Sequence, residues 1–266
     1  MAEQVDQQID DIWDALDRGE AERALELLES IETRDAHHWI AASVAWSDLG
    51  ALERAREALN QASEHLDDAA DPDYLWAEGE LRLREWRIEE ARAVFEILEG
   101  IERNPAILER LSFCADLEGD SERADGLLNE ARALSPEGHP LPPRLSDEDM
   151  DRLVAQAVER LPEDFRRSLD RVEVRVVPVP TFEIAQADPA ETPPDALGLF
   201  VGASALDSLD GEAGELPPII YVFQRNLERF AADEDELRQE IEITLYHEIG
   251  HLLGFDEEGV KAMGLE

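Results

Sequence analysis

The sequence predicts an all-α N-terminal helical-repeat solenoid followed by a small α+β domain. Three observations lead to this prediction. A helical pattern recurs about every 34 residues in the first half, a proline-rich segment surrounds residue 140, and β-branched runs precede one long amphipathic helix in the second half. We therefore expect helical repeats in residues 1–135, a linker in residues 136–146 and a second domain in residues 147–266.

Four segments of the first half share one pattern of small and apolar residues. A turn residue is followed five positions later by alanine, four further by a bulky apolar residue, and three further by a small or apolar one. Glycine allows a tight turn after a helix, and alanine lets two helices approach closely. Such self-similarity is typical of paired helices that stack into a solenoid. The four sets are Gly19, Ala24, Leu28, Ile31; Gly50, Ala55, Leu59, Ala62; Trp86, Ala91, Phe95, Leu98; and Gly119, Ala124, Leu128, Ala131.

This pattern resembles tetratricopeptide repeats (TPR). The third set departs from the family in two places, with Trp86 where glycine is usual and Arg82 where a core-facing residue is usual. The resemblance implies a TPR-like surface that binds a protein or peptide partner. Because residues 36–49 contain no lysine or arginine, we expect a basic or neutral segment as the partner rather than an acidic one.

Twelve residues from Ser135 to Ser146 contain four prolines and one glycine. Proline cannot continue a helix and favours extended backbone before it, so this segment is predicted to be a semi-rigid linker. Beyond it, Ser146 is placed to cap a helix that runs to about residue 161. Strands are predicted at residues 172–179, 197–202 and 218–223, with a loop at 180–196. Short helices are expected at 226–231 and 256–263, and one long helix at 233–253.

The long helix carries the sequence His247-Glu248-Ile249-Gly250-His251. Histidines four positions apart lie one turn apart on a helix, where two imidazoles can share one tetrahedral zinc at about 2.0–2.1 Å. Glu248 would then reach a zinc-bound water and act as its general base. A satisfied structural pair of histidines is the alternative interpretation of this spacing.

A catalytic zinc normally has three protein ligands and one open position. Gly254 is predicted to end the long helix in a left-handed conformation and to fold the chain back toward the histidines. The three acidic residues Asp256, Glu257 and Glu258 are then all in reach of the metal.

These residues resemble the minimal zincins, a group of small bacterial zinc metallopeptidases. The resemblance runs from the helix around Leu153 through residues 161–165, 219–223 and 237–241 to the histidine motif and on to residue 264. It implies Zn2+ as the cofactor, with His247 and His251 as ligands and Glu248 as the base. The family motif H-E-x-x-H-x-x-G-x-x followed by a ligand implies Glu257 as the acidic third ligand.

Two functions from different classes fit these predictions. The first is a zinc-dependent metallopeptidase whose TPR-like repeats recruit a protein substrate or partner, with the strand at 219–223 pairing with an extended substrate. The alternative is a non-catalytic TPR adaptor with a structural or regulatory zinc-binding domain. Little chain remains beyond the third ligand to build a deep substrate cleft, which favours the alternative.

The chain is strongly acidic, with 65 Asp and Glu against 24 Lys and Arg and a formal net charge of −41. Such a field repels nucleic acid and anionic membranes, so neither is expected as a partner. No apolar run approaches the roughly 20 residues of a membrane span, and the polar N-terminus lacks the features of a secretory signal. A cytoplasmic location is therefore expected. Because Lys261 is the only lysine, we hypothesise a halophilic or salt-tolerant host.

If the charge is an adaptation to salt, the melting temperature should rise as salt concentration increases, because screening removes repulsion among the carboxylates. The measurement is a thermal melt followed by circular dichroism over a series of salt concentrations. A melting temperature that stays flat or falls across the series would contradict the hypothesis.

Overall fold

The computed structural model describes residues 2–31, 33–186, 192–202, 218–256 and 259–260. The chain divides into two compact units. The first, the helical unit, comprises Met1–His139 together with Phe182–Pro194, and the second, the C-terminal unit, comprises Pro140–Thr181 together with Asp195–Glu266. None of the helices in the described part of the chain combines the length and the apolar character needed to cross a membrane.

The helical unit is built from consecutive helices joined by short connections, which confirms the predicted helical character of the N-terminal part. The alanines of the repeated pattern lie in its core, since Ala24, Ala55, Ala91 and Ala124 are each 0% exposed. The helices are α1 (Ala2–Asp17), α2 (Ala21–Glu29), α3 (Ala36–Asp48), α4 (Leu52–His65), α5 (Pro72–Arg84), α6 (Ile88–Ile101), α7 (Pro105–Leu117) and α8 (Ser121–Leu134).

One backbone turn recurs at the glycine position of the repeated pattern. Gly19, Gly50 and Gly119 have φ values of 73°, 70° and 81°, in the left-handed region that glycine enters without steric cost. At each turn the glycine and the residue after it donate hydrogen bonds back to the preceding helix. This is a Schellman turn, which satisfies carbonyl groups at the helix end and reverses the chain.

Trp86 makes the same turn with a side chain attached. Its φ is 58°, and its N–H donates to the carbonyl of Leu83 at 2.9 Å, as the glycines do at the equivalent positions. A left-handed conformation costs an L-residue roughly 1–2 kcal/mol. The indole ring packs edge-to-face on Phe182, with ring centroids 6.1 Å apart. The residue at this position therefore differs from the glycine of the other repeats, but the backbone turn is the same.

Arg82, the other departure, faces a buried carboxylate. Glu78 is 5% exposed and pairs with Arg82 from its own helix α5 and with Arg56 from α4 at 2.5 Å. A charge so deeply buried requires a partner to be tolerated. Arg82 thus supplies a counter-ion at a position where tetratricopeptide repeats usually have a core-facing residue.

The C-terminal unit places helices around a small sheet. Ser146 caps its first helix by accepting a hydrogen bond from the N–H of Asp149, which confirms the predicted helix start. The predicted loop at 180–196 contains one short helix, which belongs to the helical unit. In chain order the described elements after residue 146, α11 included, are α9 (Asp147–Arg160), α10 (Glu163–Ser168), a 3-10 turn (Leu169–Arg171), β1 (Glu173–Val177), α11 (Phe182–Ala185), β2 (Gly198–Val201), β3 (Ile219–Phe223), α12 (Gln224–Phe230) and α13 (Glu234–Leu252).

The sheet has the strand order β1-β3-β2. β3 pairs in parallel with β1 and antiparallel with β2. The prediction that the strand at 219–223 pairs with a substrate is therefore wrong, because β3 is the central strand and already has a partner on each side. The long helix α13 packs its apolar stripe into the core beside this strand. Fully buried members of that core include Leu237, Ile241, Leu245, Ile249, Ile220 and Val222.

Substituting glycine by alanine should have opposite effects at two positions where a Cβ would meet nothing within 4 Å. Gly50→Ala forces a left-handed L-residue and should lower the free energy of unfolding by about 1–2 kcal/mol. Gly126→Ala lies within helix α8 and should raise it by about 0.5–1 kcal/mol. Urea denaturation followed by circular dichroism measures both changes. Equal effects at the two positions would contradict the role assigned to the turn.

Candidate metal centre

The candidate site lies at the C-terminal end of α13, where a Schellman turn stops the helix. Gly254 has a φ of 94°, and its N–H donates to the carbonyl of His251 at 2.9 Å. The N–H of Phe255 donates to the carbonyl of Gly250 at 3.1 Å, which completes the turn. The prediction that Gly254 ends the helix in a left-handed conformation is confirmed.

The structure brings the two histidines of the motif together. The Nε2 atoms of His247 and His251 lie 3.0 Å apart, and the ring planes are inclined by 67°. Two nitrogens bound to one tetrahedral zinc at about 2.0–2.1 Å would lie roughly 3.3 Å apart. Both rings are half-buried and present the same nitrogen to a common point. This donor pair fits a zinc ion.

The turn after the helix also orients one of the rings. Nδ1 of His251 lies 3.1 Å from the carbonyl oxygen of Phe255 and donates a hydrogen bond to it. Donation from Nδ1 leaves the lone pair on Nε2, which is the atom that faces His247. Metal-binding histidines commonly have such a partner on the second ring nitrogen. Gly254 therefore shapes the site by returning the Phe255 carbonyl to the ring.

Glu248, the residue between the histidines that was predicted to act as base, is buried. It is 6% exposed, and its Oε2 accepts a hydrogen bond of 2.6 Å from the backbone N–H of Phe200 in strand β2. The contact depends on a close approach of helix and strand at Gly198. A Cβ there would lie 2.5 Å from Cγ2 of Thr244 and 3.2 Å from Oε1 of Glu248.

Sequence reasoning did not find the parts that β2 contributes to this site. Phe200 acts through its backbone N–H, which every residue except proline carries, so no residue type could mark it. Gly198 gave a weak signal, because glycine inside a strand indicates close approach of another backbone or ligand. That signal does not say which element approaches.

The third ligand predicted by resemblance, Glu257, lies outside the residues that the structure describes, as does Glu258. Asp256 is described and exposed. Its Oδ1 accepts a hydrogen bond from the N–H of Gly259 at 2.9 Å, and its carbonyl accepts from Val260. The carboxylate of Asp256 is thus engaged by the backbone of Gly259.

A separate group in the helical unit could also hold a metal. Ligand atoms of His37, Asp71 and Asp73 all lie within 4.8 Å of one another. His37 and Asp73 are exposed, and Asp71 caps helix α5 by accepting from the N–H of Tyr74. The group sits at the starts of α3 and α5, where the partial positive charge of a helix N-terminus opposes a cation. Its donor set is therefore a weaker candidate than the histidine pair of α13.

A pair of helical histidines that flank a carboxylate, beside the strand of a small mixed sheet, is an arrangement that suits zinc-dependent hydrolysis. Comparison with known families agrees with this class. Residues 169–265 match the family model described as Zincin-like metallopeptidase. The match spans the sheet and α13 and leaves helices α1–α8 outside it. No curated protein matches the chain.

Replacing either motif histidine should abolish stoichiometric zinc binding, because it removes one of the two converging nitrogens. The variants are His247→Ala and His251→Ala. The measurement is metal content after dialysis against a zinc buffer with a competing chelator.

Two control variants locate any metal that remains. His65→Ala removes an exposed histidine at the end of α4 and should leave zinc content unchanged. His37→Ala removes the histidine of the second group and should also leave it unchanged. Zinc that survives in His251→Ala but disappears in His37→Ala would contradict the assignment of the metal centre to α13.

Proposed function

We propose that the C-terminal unit is a zinc-dependent peptidase and that the helical unit recruits its protein partner or substrate. The observation that carries the proposal is the convergence of the His247 and His251 Nε2 atoms at 3.0 Å, with one ring already oriented by a backbone carbonyl. The match of residues 169–265 to zincin-like metallopeptidases supports the same reaction. Hydrolysis of a peptide bond is the chemistry that follows from such a site.

Each residue around the site would have a distinct role in hydrolysis. Zinc, when bound, would acidify a water molecule and polarise the carbonyl of the peptide bond. His247 and His251 would hold the metal through Nε2, and the Phe255 carbonyl would keep the His251 ring from rotating. Glu248 would accept a proton from the attacking water and deliver a proton to the departing amine nitrogen.

Glu257 is proposed as the third ligand. The Schellman turn at Gly254 reverses the chain immediately before it, and two ligands alone leave a catalytic zinc incompletely held. The hydrogen bond from Gly259 engages the neighbouring Asp256, which supports Glu257 over Asp256. Glu257→Ala should therefore weaken zinc binding more than Asp256→Ala or Glu258→Ala does.

A peptide substrate would bind in extended form along β2. Of the strands that the structure describes, β2 lies at the edge of the sheet nearest to Glu248, and edge strands bind peptides by backbone hydrogen bonds. This assignment replaces β3, whose two sides are already paired.

The helical unit would supply a protein-binding surface of the TPR type. Its paired helices and the turns at Gly19, Gly50, Trp86 and Gly119 support a repeat architecture. The acidic composition of the chain and the absence of lysine and arginine from α3 favour a basic or neutral segment as its ligand.

One observation favours the alternative function, a non-catalytic adaptor with a structural zinc site. The carboxylate of Glu248 is buried and bonded to the backbone of β2, as a residue that only ties a helix to a sheet would be. In that case zinc would stabilise the fold, and no hydrolysis would follow.

Peptide hydrolysis distinguishes the two functions. The zinc-loaded protein should cleave members of a diverse peptide library at high salt, and Glu248→Gln should reduce the rate by about 10²–10⁴-fold. Glutamine keeps the size of the side chain but cannot accept the proton. Cleavage is measured by mass spectrometry of the products.

Glu234→Gln is the matched control, because it makes the same chemical change in the exposed first turn of α13. It should leave the rate unchanged. Removal of zinc by a chelator should stop cleavage, and added zinc should restore it. A wild-type protein that binds zinc but cleaves nothing, or cleavage that Glu248→Gln leaves intact, would favour the adaptor.

A further inference from the structure

The backbone groups of β2 alternate between the two sides of the strand. The N–H of Phe223 donates to the carbonyl of Leu197 at 2.9 Å, and β2 and β3 pair as Gly198↔Val222 and Phe200↔Ile220. Hydrogen-bonded pairs alternate with non-bonded pairs in an antiparallel ladder. The backbone groups of Gly198 and Phe200 therefore point away from β3, toward the open side of the strand.

Glu248 accepts a hydrogen bond from one of these outward-pointing groups, the N–H of Phe200. The 2.6 Å hydrogen bond from the Phe200 N–H to Oε2 uses a donor that an incoming peptide strand would otherwise bind. The close approach of Gly198 to Thr244 packs β2 against α13 beside this bond. Nδ2 of Asn226, on α12, donates to the carbonyl of Ala196 at 2.7 Å and so anchors the chain just before β2. The Glu248 side chain is buried where it meets the strand.

We infer that the Phe200 N–H is a positioning group for Glu248 and that a substrate peptide does not pair with β2 at this N–H. The inference rests on the proposed peptidase function and makes it more specific. A general base must be held within a fraction of an ångström of its working position, and a backbone donor in a strand achieves this without a mobile side chain. Substrate pairing is then left to the Gly198 backbone and the Phe200 carbonyl.

Two substitutions at residue 200 isolate the N–H. Phe200→Pro removes both the phenyl ring and the N–H, whereas Phe200→Ala removes the ring alone. Proline leaves the ladder with β3 intact, because the Phe200 N–H takes no part in it. The preceding residue is already extended, as proline requires. Because both variants lose the packing of the phenyl ring against the core, a comparison of the two isolates the effect of the N–H.

The expected result is a change in kcat with KM preserved. Relative to Phe200→Ala, Phe200→Pro should lower kcat about 10- to 100-fold, because the base loses its orientation, and KM should stay within about twofold. A raised KM with kcat preserved would show that the N–H binds substrate, which overturns the inference. Equal kinetics for the two variants would overturn it as well.

Amide hydrogen exchange tests the contact without relying on catalysis or on bound metal. The Phe200 amide should be protected in the wild type and in Glu248→Gln, whose side-chain oxygen still accepts the bond. In Glu248→Ala it should exchange roughly tenfold faster or more. The Leu199 amide, which faces β3, is the internal control and should not change. This measurement decides the matter if Phe200→Pro does not fold.

Failure of the inference and failure of the proposed function give different results. A Phe200 amide that exchanges equally fast in wild type and Glu248→Ala overturns the inference and does not bear on peptidase activity. Absence of hydrolysis by the zinc-loaded wild type overturns the proposed function, and the inference falls with it. A protected amide in that case would identify Glu248 as a structural tie.

Discussion

The burial of one face of α13 against the sheet determines the candidate site. Leu237, Ile241, Leu245 and Ile249 follow helical spacing and are fully buried, and burial of such a side chain contributes about 1.5–3 kcal/mol. Once this stripe fixes the rotation of the helix, the directions of the neighbouring side chains are fixed too. Glu248 then points to β2, while the two histidines lie beside the core, half-buried. The packing of the apolar stripe thus determines where Glu248 and the two histidines lie.

Those parts of the site that depend on local chemistry could be predicted from the sequence. Helical spacing predicted the meeting of His247 and His251, and Gly254 predicted the left-handed turn, because both follow from the geometry of one helix. The strand order could not be predicted, since β1 and β3 are distant in sequence and their pairing depends on how the whole unit packs. The prediction that β3 binds substrate failed for this reason.

The same distinction explains Trp86. Glycine at three equivalent positions predicts a turn by its freedom at positive φ, whereas tryptophan predicts nothing of the kind. The turn forms at Trp86 because the helices on either side pack as the other pairs do, and tertiary packing outweighs a local cost of roughly 1–2 kcal/mol. Turns of this one type, the Schellman turn, therefore have two different roles in this chain. Between paired helices it reverses direction, and after α13 it returns a carbonyl to a histidine ring.

The net charge of −41 acts over long range, whereas the geometry of the site depends on short contacts. At low ionic strength its long-range field would attract a metal cation and a basic peptide alike. At 1 M salt the Debye length falls to about 3 Å, so only contacts at hydrogen-bonding or metal-ligand distance keep their strength. The 3.0 Å separation of the histidine nitrogens and the 2.6 Å bond between Phe200 and Glu248 belong to that short range. In high salt, therefore, the site would keep its geometry. Under the proposed function, selection of a substrate would then depend on direct contacts with β2 and the helical unit.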